Sequence, residues 1–166
     1  MVGQDPYPDH DMATGLAFSI PKTSKKIPLS LQNILKEYQS DLSYDNKEMP
    51  KHGCLDAWAE QGVLLWNATP SCEAGKAGSH TDWPEWKLLT EEIIKELSDK
   101  GIVFALIGTE AKKLKNLIDE NGNEVLLFGH PSPLNRSNPF IGSRFFSTVN
   151  AALVKMKLSP IEWRLK

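Results

Sequence analysis

The chain reads as an α/β protein built on a parallel sheet, on three observations. Apolar runs of strand length occur at 63–66, 101–107 and 125–128. Segments with helical periodicity separate them, the alternation expected of parallel strands joined by crossover helices. Polar residues follow each run directly, as they do where strands end at a ligand-binding edge. Taken in order, Leu29 to Tyr38 is the first helix, with apolar residues at 31, 34 and 38 and Ser30 as its N-cap. Leu55 to Glu60 is a short helix stopped near Gly62. Val63 to Trp66 suits a buried strand. Pro84 to Leu97 is a helix with proline in its first turn. Gly101 to Ile107 is the clearest strand; Thr109 then caps a helix reaching Ile118. Val125 to Phe128 is the third strand, and Phe140 to Met156 the last helix. This topology alone puts Asn67, Gly108-Thr109 and His130 on one edge of the sheet.

The chain has 166 residues, 40% hydrophobic and 24% charged, which fits one domain over 1–166 with a core of its own. It contains no apolar run of membrane-spanning length, so no membrane partner is expected. Its start lacks a basic-then-apolar signal pattern, which points to the cytoplasm, or to the nucleus in a eukaryotic or viral setting. Cys54 and Cys72 are too few for a disulfide framework, and their spacing is not that of a zinc site. The chain lacks GxGxxG, a P-loop and any metal-spaced cluster, which argues against a nucleotide-binding enzyme of doubly wound type. Nothing in it points to an oligomer, so a monomer is expected. Net charge is −2, so any contact with phosphate must come from local groups: Lys22, Lys25 and Lys26, Lys112, Lys113 and Lys115, or Arg136 and Arg144. Each lysine cluster is equally consistent with a solvated helix face.

Two proline-stiffened segments carry the strongest signal: Gly3-Gln4-Asp5-Pro6-Tyr7-Pro8 and His130-Pro131-Ser132-Pro133-Leu134. Proline fixes its own φ and extends the residue before it, so Asp5, Tyr7 and Ser132 are held by the backbone. With Gly15-Leu16-Ala17-Phe18-Ser19 and Ala77-Gly78-Ser79-His80, these segments resemble family 1 uracil-DNA glycosylase. The resemblance implies a three-layer α/β/α fold with a central, mostly parallel four-stranded sheet. It implies a monofunctional glycosylase that hydrolyses the N-glycosidic bond of uracil in DNA and leaves an abasic site. It implies single- and double-stranded DNA containing uracil as partners, a possible proteinaceous inhibitor, and no metal or cofactor.

By the same resemblance, Asp5 positions the attacking water and balances the oxocarbenium-like sugar, although an Asp before proline also caps turns. His130, as a neutral ring, donates a hydrogen bond to the oxyanion of the departing uracil. Asn67 reads the uracil edge, since an amide both donates and accepts, and Gln4 adds backbone contacts. Phe18 stacks on the flipped base, or is simply a core aromatic. Tyr7 stands where thymine has its methyl group. Leu134 is the wedge that fills the space left by the base, unless it is a core anchor. Ser30, His80, Gly108, Thr109 and Ser132 look like phosphate-gripping turns, with Arg136 near phosphate or groove; Ser30 and Thr109 could equally be plain N-caps.

The chain departs from the family pattern in four places. Pro8 stands where His is usual, and Asp9-His10-Asp11-Met12 brings two carboxylates toward the DNA face, which weakens phosphate affinity. Leu29 replaces a second proline, and Trp66 is bulkier than the usual aliphatic residue. Only Met1 and Val2 precede the Gly3 motif, so the central strand that leads into it in the family is expected to be missing, with an exposed sheet edge as the consequence. That loss favours the alternative reading, a catalytically weak or inactive DNA-binding or scaffold relative.

Overall fold

The structure, a computed structural model, describes residues 1–42, 49–135 and 140–165. Among these residues a four-stranded sheet runs in the order β2-β1-β3-β4, formed by β1 (Val2–Gly3), β2 (Trp66–Asn67), β3 (Val103–Ile107) and β4 (Glu124–Phe128). Every neighbouring pair is parallel. The expectation of a missing central strand is corrected: Val2 and Gly3 lie between Trp66–Asn67 and Leu106. Two residues suffice because Met1 extends the pairing, its nitrogen donating to the Leu64 carbonyl (2.9 Å) and its carbonyl accepting from Trp66 N–H (3.1 Å). The expected strand at 63–66 is likewise displaced to Trp66–Asn67, since a strand exists only opposite a partner and β1 faces these two residues.

Alternation along β3 divides the core into two layers. Ala105 and Ile107 face a cluster built from α1 (Leu29–Asp41), α2 (Asp56–Ala59) and α5 (Phe145–Lys155), with Leu31, Ile34, Trp58, Phe146 and Trp163 at its centre. Phe104 and Leu106 face the opposite side, against Ile94 of α3 (Pro84–Ser98) and Ala111 of α4 (Gly108–Lys113). A 3-10 turn, Leu114–Leu117, continues α4. Helices on both faces of a parallel sheet give the three-layer α/β/α fold.

Three helix starts differ from expectation. Ser30 does not cap α1 and Thr109 does not cap α4: the cap positions are Pro28 and Ile107, and neither helix has a side-chain cap. Both hydroxyl residues lie inside the first turn, two positions after the cap, and a capping oxygen has to sit at the cap itself to accept the amides of the second and third helical residues. The last helix begins at Phe145 rather than Phe140, because Gly142 (φ +85°) and Arg144 (φ +55°) are left-handed and interrupt the turn.

Candidate active site

The carboxyl ends of β1, β2 and β4 open onto a cavity of about 590 Å³. Its walls include Gln4, Asp5, Tyr7, Phe18, Ser30, Asn67, His130, Ser132 and Leu134, residues that lie up to 130 positions apart in sequence. A shallower hollow beside it brings Gly108 and Thr109 to Gln4, His130, Ser132 and Leu134. His80 lines neither. Its Nδ1 shares a hydrogen bond with Ser71 Oγ (2.8 Å), its ring stacks on Trp83 (3.9 Å, 19°), and Ser71 Oγ also accepts from Trp86 Nε1 (2.8 Å). Arg136 lies outside the described residues.

Asp5 leaves β1 on the Pro6 turn, and its Oδ2 accepts the backbone N–H of Gly78 at 2.6 Å. Gly78 is left-handed (φ +71°), which turns its N–H toward the carboxylate. The Ala77-Gly78-Ser79-His80 segment therefore orients Asp5, a role that a hydrogen bond across 73 positions leaves invisible in sequence. Gly3 was also overlooked as a site residue. A Cβ there would lie 2.9 Å from Asn67 Oδ1 and from the Phe18 ring, so only glycine lets the Asn67 amide and the Phe18 ring approach the strand this closely. Its place at the head of the Gly-Gln-Asp-Pro-Tyr run was the available signal.

His130 follows β4 and is half-buried. Its Nδ1 lies 3.0 Å from the Ser132 backbone N–H. A backbone amide can only donate, so Nδ1 accepts and the ring proton sits on Nε2. Burial pushes the imidazole pKa below its ordinary value, opposed by the Asp5 carboxylate. Both effects of burial and bonding yield one species, a neutral ring with a donor at Nε2. The Gly108 position is shaped by this ring: its φ is +85°, and an added Cβ would lie 3.0 Å from His130 Cδ2.

Tyr7 OH donates to the Phe18 carbonyl (3.1 Å) and lies 3.3 Å from Ser30 Oγ. Burial pushes its pKa up to about 12, so the phenol stays neutral and serves as a wall. Phe18 is itself left-handed (φ +65°), a conformation disfavoured for a bulky residue, and its ring centroid lies 6.2 Å from that of His130. Trp66 is anchored by Nε1 to Thr90 Oγ1 (3.0 Å), and Thr90 donates on to the Ala68 carbonyl (2.8 Å), so both neighbours of Asn67 are pinned. Leu134 is 89% exposed at the cavity rim, which excludes a core-anchor role.

The arrangement places a carboxylate, a neutral imidazole donor, an aromatic face and an amide around one cavity of small-molecule size. Comparison with known proteins agrees. The sequence profile described as "Uracil DNA glycosylase superfamily" matches residues 1–154. The chain is 47% identical over 166 residues to the uracil-DNA glycosylase of Lacticaseibacillus casei, covering 99% of this chain and 71% of that protein. It is 47% identical over 167 residues to the one from Campylobacter lari, covering 99% and 70%. Among solved structures, mimivirus uracil-DNA glycosylase superposes with a TM-score of 0.85 at 27% identity, covering 99% of this chain. A mimivirus UNG variant in complex with UGI matches equally well, with a TM-score of 0.85. This chain spans 66% of the length of the first mimivirus structure. On its profile, its relatives and its fold, the chain belongs to the uracil DNA glycosylase superfamily.

Proposed function

We propose that this chain rotates uracil out of DNA and hydrolyses its N-glycosidic bond, leaving an abasic strand. The observation that carries the reading is the convergence of Asp5, Phe18, Asn67 and His130 on one cavity, with the His130 ring bonded so that Nε2 holds the proton. As the C1′–N1 bond breaks, its electron pair moves onto uracil and its O2 becomes an oxyanion. The Nε2–H of His130 donates to that oxygen, while the Asp5 carboxylate faces the positive sugar. Asp5 also orients a water whose oxygen forms the new bond to C1′, and the water's proton passes to the carboxylate. Asn67 pairs with the N3–H and O4 edge, Phe18 stacks on the ring, and Tyr7 blocks the space of a 5-methyl group. Leu134 enters the base stack in place of the extruded nucleotide. Ser132, Thr109 and the Gly108 amide lie where the flanking backbone passes. A protein inhibitor that covers this cavity is the partner suggested by the UGI complex of the mimivirus neighbour. An absent central strand would favour a non-catalytic relative, and Val2–Gly3 pair in that place, between β2 and β3.

The test is uracil release from a single-stranded oligonucleotide carrying one deoxyuridine. Asp5→Asn keeps the shape but removes the charge, and is expected to lower the rate by about 10³-fold or more, the scale on which preorganised charge acts in such sites. Release that survives the substitution, or a folded wild-type protein that releases none, rejects the proposal.

A further inference from the structure

We propose that helix α1 clasps both ends of the segment carrying Leu134, and that Glu37 is a positioning residue for excision from duplex DNA. The inference rests on the reading of Leu134 as the wedge. Asn33, Glu37 and Asp41 are spaced four apart and so share one stripe of the helix. Asn33 Nδ2 donates to the Pro131 carbonyl at 2.8 Å. Glu37, four residues on, accepts the Gly142 N–H (2.5 Å) on one carboxylate oxygen and the Arg144 N–H (2.6 Å) on the other. Asp41 accepts the Ser147 N–H (2.7 Å) and hydroxyl (2.5 Å). One rigid helix thus holds the segment where it departs after His130 and where it returns into α5.

Two features set Glu37 apart from an ordinary helix cap. It is 1% exposed, and a carboxylate is tolerated at such depth only when its oxygens are fully bonded. The amides it binds also belong to a backbone in disfavoured conformations, Gly142 at φ +85° and Arg144 at φ +55°. A left-handed arginine persists only where its surroundings over-determine it. The carboxylate is the group that spans both sides of that kink. A wedge has to resist the closing base stack, and a loop with both ends fixed loses fewer conformations on insertion than one with a loose end. Duplex substrate requires that insertion; an unpaired strand does not.

The test compares kcat/KM on duplex and single-stranded deoxyuridine substrates. Glu37→Gln keeps the volume but turns an amide toward one of the two N–H groups. It is expected to lower duplex kcat/KM about tenfold, the worth of one charge-assisted hydrogen bond, and the single-strand value less than about twofold. Equal losses on both substrates overturn the proposal, since the carboxylate then merely supports the fold. Amide hydrogen exchange across 140–147 supplies a readout independent of activity: Glu37→Gln should speed it, and unchanged protection also overturns the clasp. If wild type releases no uracil from either substrate, the functional reading has failed, while exchange still decides whether the clasp exists. Should Glu37→Gln fail to fold, Asn33→Ala loosens the near tie alone and is expected to slow duplex excision more than single-strand excision; unchanged rates on both refute the idea.

Discussion

At the scale of single residues, the group that sets the pH response is His130. The proposed reaction needs its neutral form, and burial keeps the folded pKa below the ordinary imidazole value of about 6.5. Activity is therefore expected to hold through pH 7 and to fall only as the pH passes below the folded pKa, on the acid side of ~6.5. The same shift has a stability consequence. Between the folded pKa and ~6.5 the unfolded chain binds the proton and the folded chain does not, so stability rises with pH across that window and is lost on acidification through it. The measurement is kcat/KM on single-stranded substrate against pH, beside a pH series of melting temperatures. An acid limb centred at or above ~6.5 shows that burial does not govern this ring.

At the scale of elements, the junction of β3 and α4 tests how tightly the backbone is fitted to the chemistry. Gly108 is left-handed and its missing Cβ leaves room for the His130 ring. Gly108→Ala is expected to cost ~1–3 kcal/mol through backbone strain and to slow uracil release by displacing the ring. Gly122 is the matched control: it is also left-handed (φ +94°), yet an added Cβ meets nothing within 4 Å. Gly122→Ala should lower the melting temperature similarly and leave the release rate unchanged. Equal kinetic losses in the two variants would show that the contact with His130 is irrelevant. The contrast also marks what was legible in the sequence. The apolar runs announced β3 and β4; β3 is buried and needs an apolar face on each side, whereas β4, at the edge of the described sheet, is apolar but leaves Leu127 exposed. The motif residues at strand ends found one another because a parallel sheet delivers its loops to one edge. Strand β1 was missed because two residues carry no periodicity, and its pairing with Trp66 and Leu106 is a tertiary fact. The late start of α5 was missed because Phe140 to Phe146 is apolar enough to pass for helix, while the left-handed Arg144 has its N–H bonded to Glu37, more than a hundred positions away. Gly78 bonding Asp5 is illegible for the same reason.

At the scale of the whole molecule, the site stays in register only if the two core layers hold the sheet between them, and the layer on the α1 side is closed by a residue far from every motif. Trp163 is 1% exposed, beyond the last residue matched by the family profile. Its ring packs edge-on to Trp58 (5.2 Å, 89°) and against Phe146 (5.2 Å, 73°), while its carbonyl accepts the Trp58 indole N–H at 2.9 Å. The segment is stitched down on either side: Asn150 Nδ2 donates to the Ile161 carbonyl, and Gln61 Oε1 accepts the Glu162 N–H. Trp163→Ala should cost ~3–5 kcal/mol, as for other large-to-small changes at full burial, and lower the melting temperature by about 2–4 °C for each kcal/mol. The phenylalanine variant separates packing from bonding. Among the described residues the Trp163 Nε1 has no hydrogen-bond partner, so Trp163→Phe forfeits no bond from the side chain and leaves the backbone acceptor for Trp58 in place. Its loss is expected to be less than about half that of alanine, with uracil release preserved below the melting transition. Comparable losses for the two variants would mean that the indole N–H is bonded in solution and that the layer is held by more than packing.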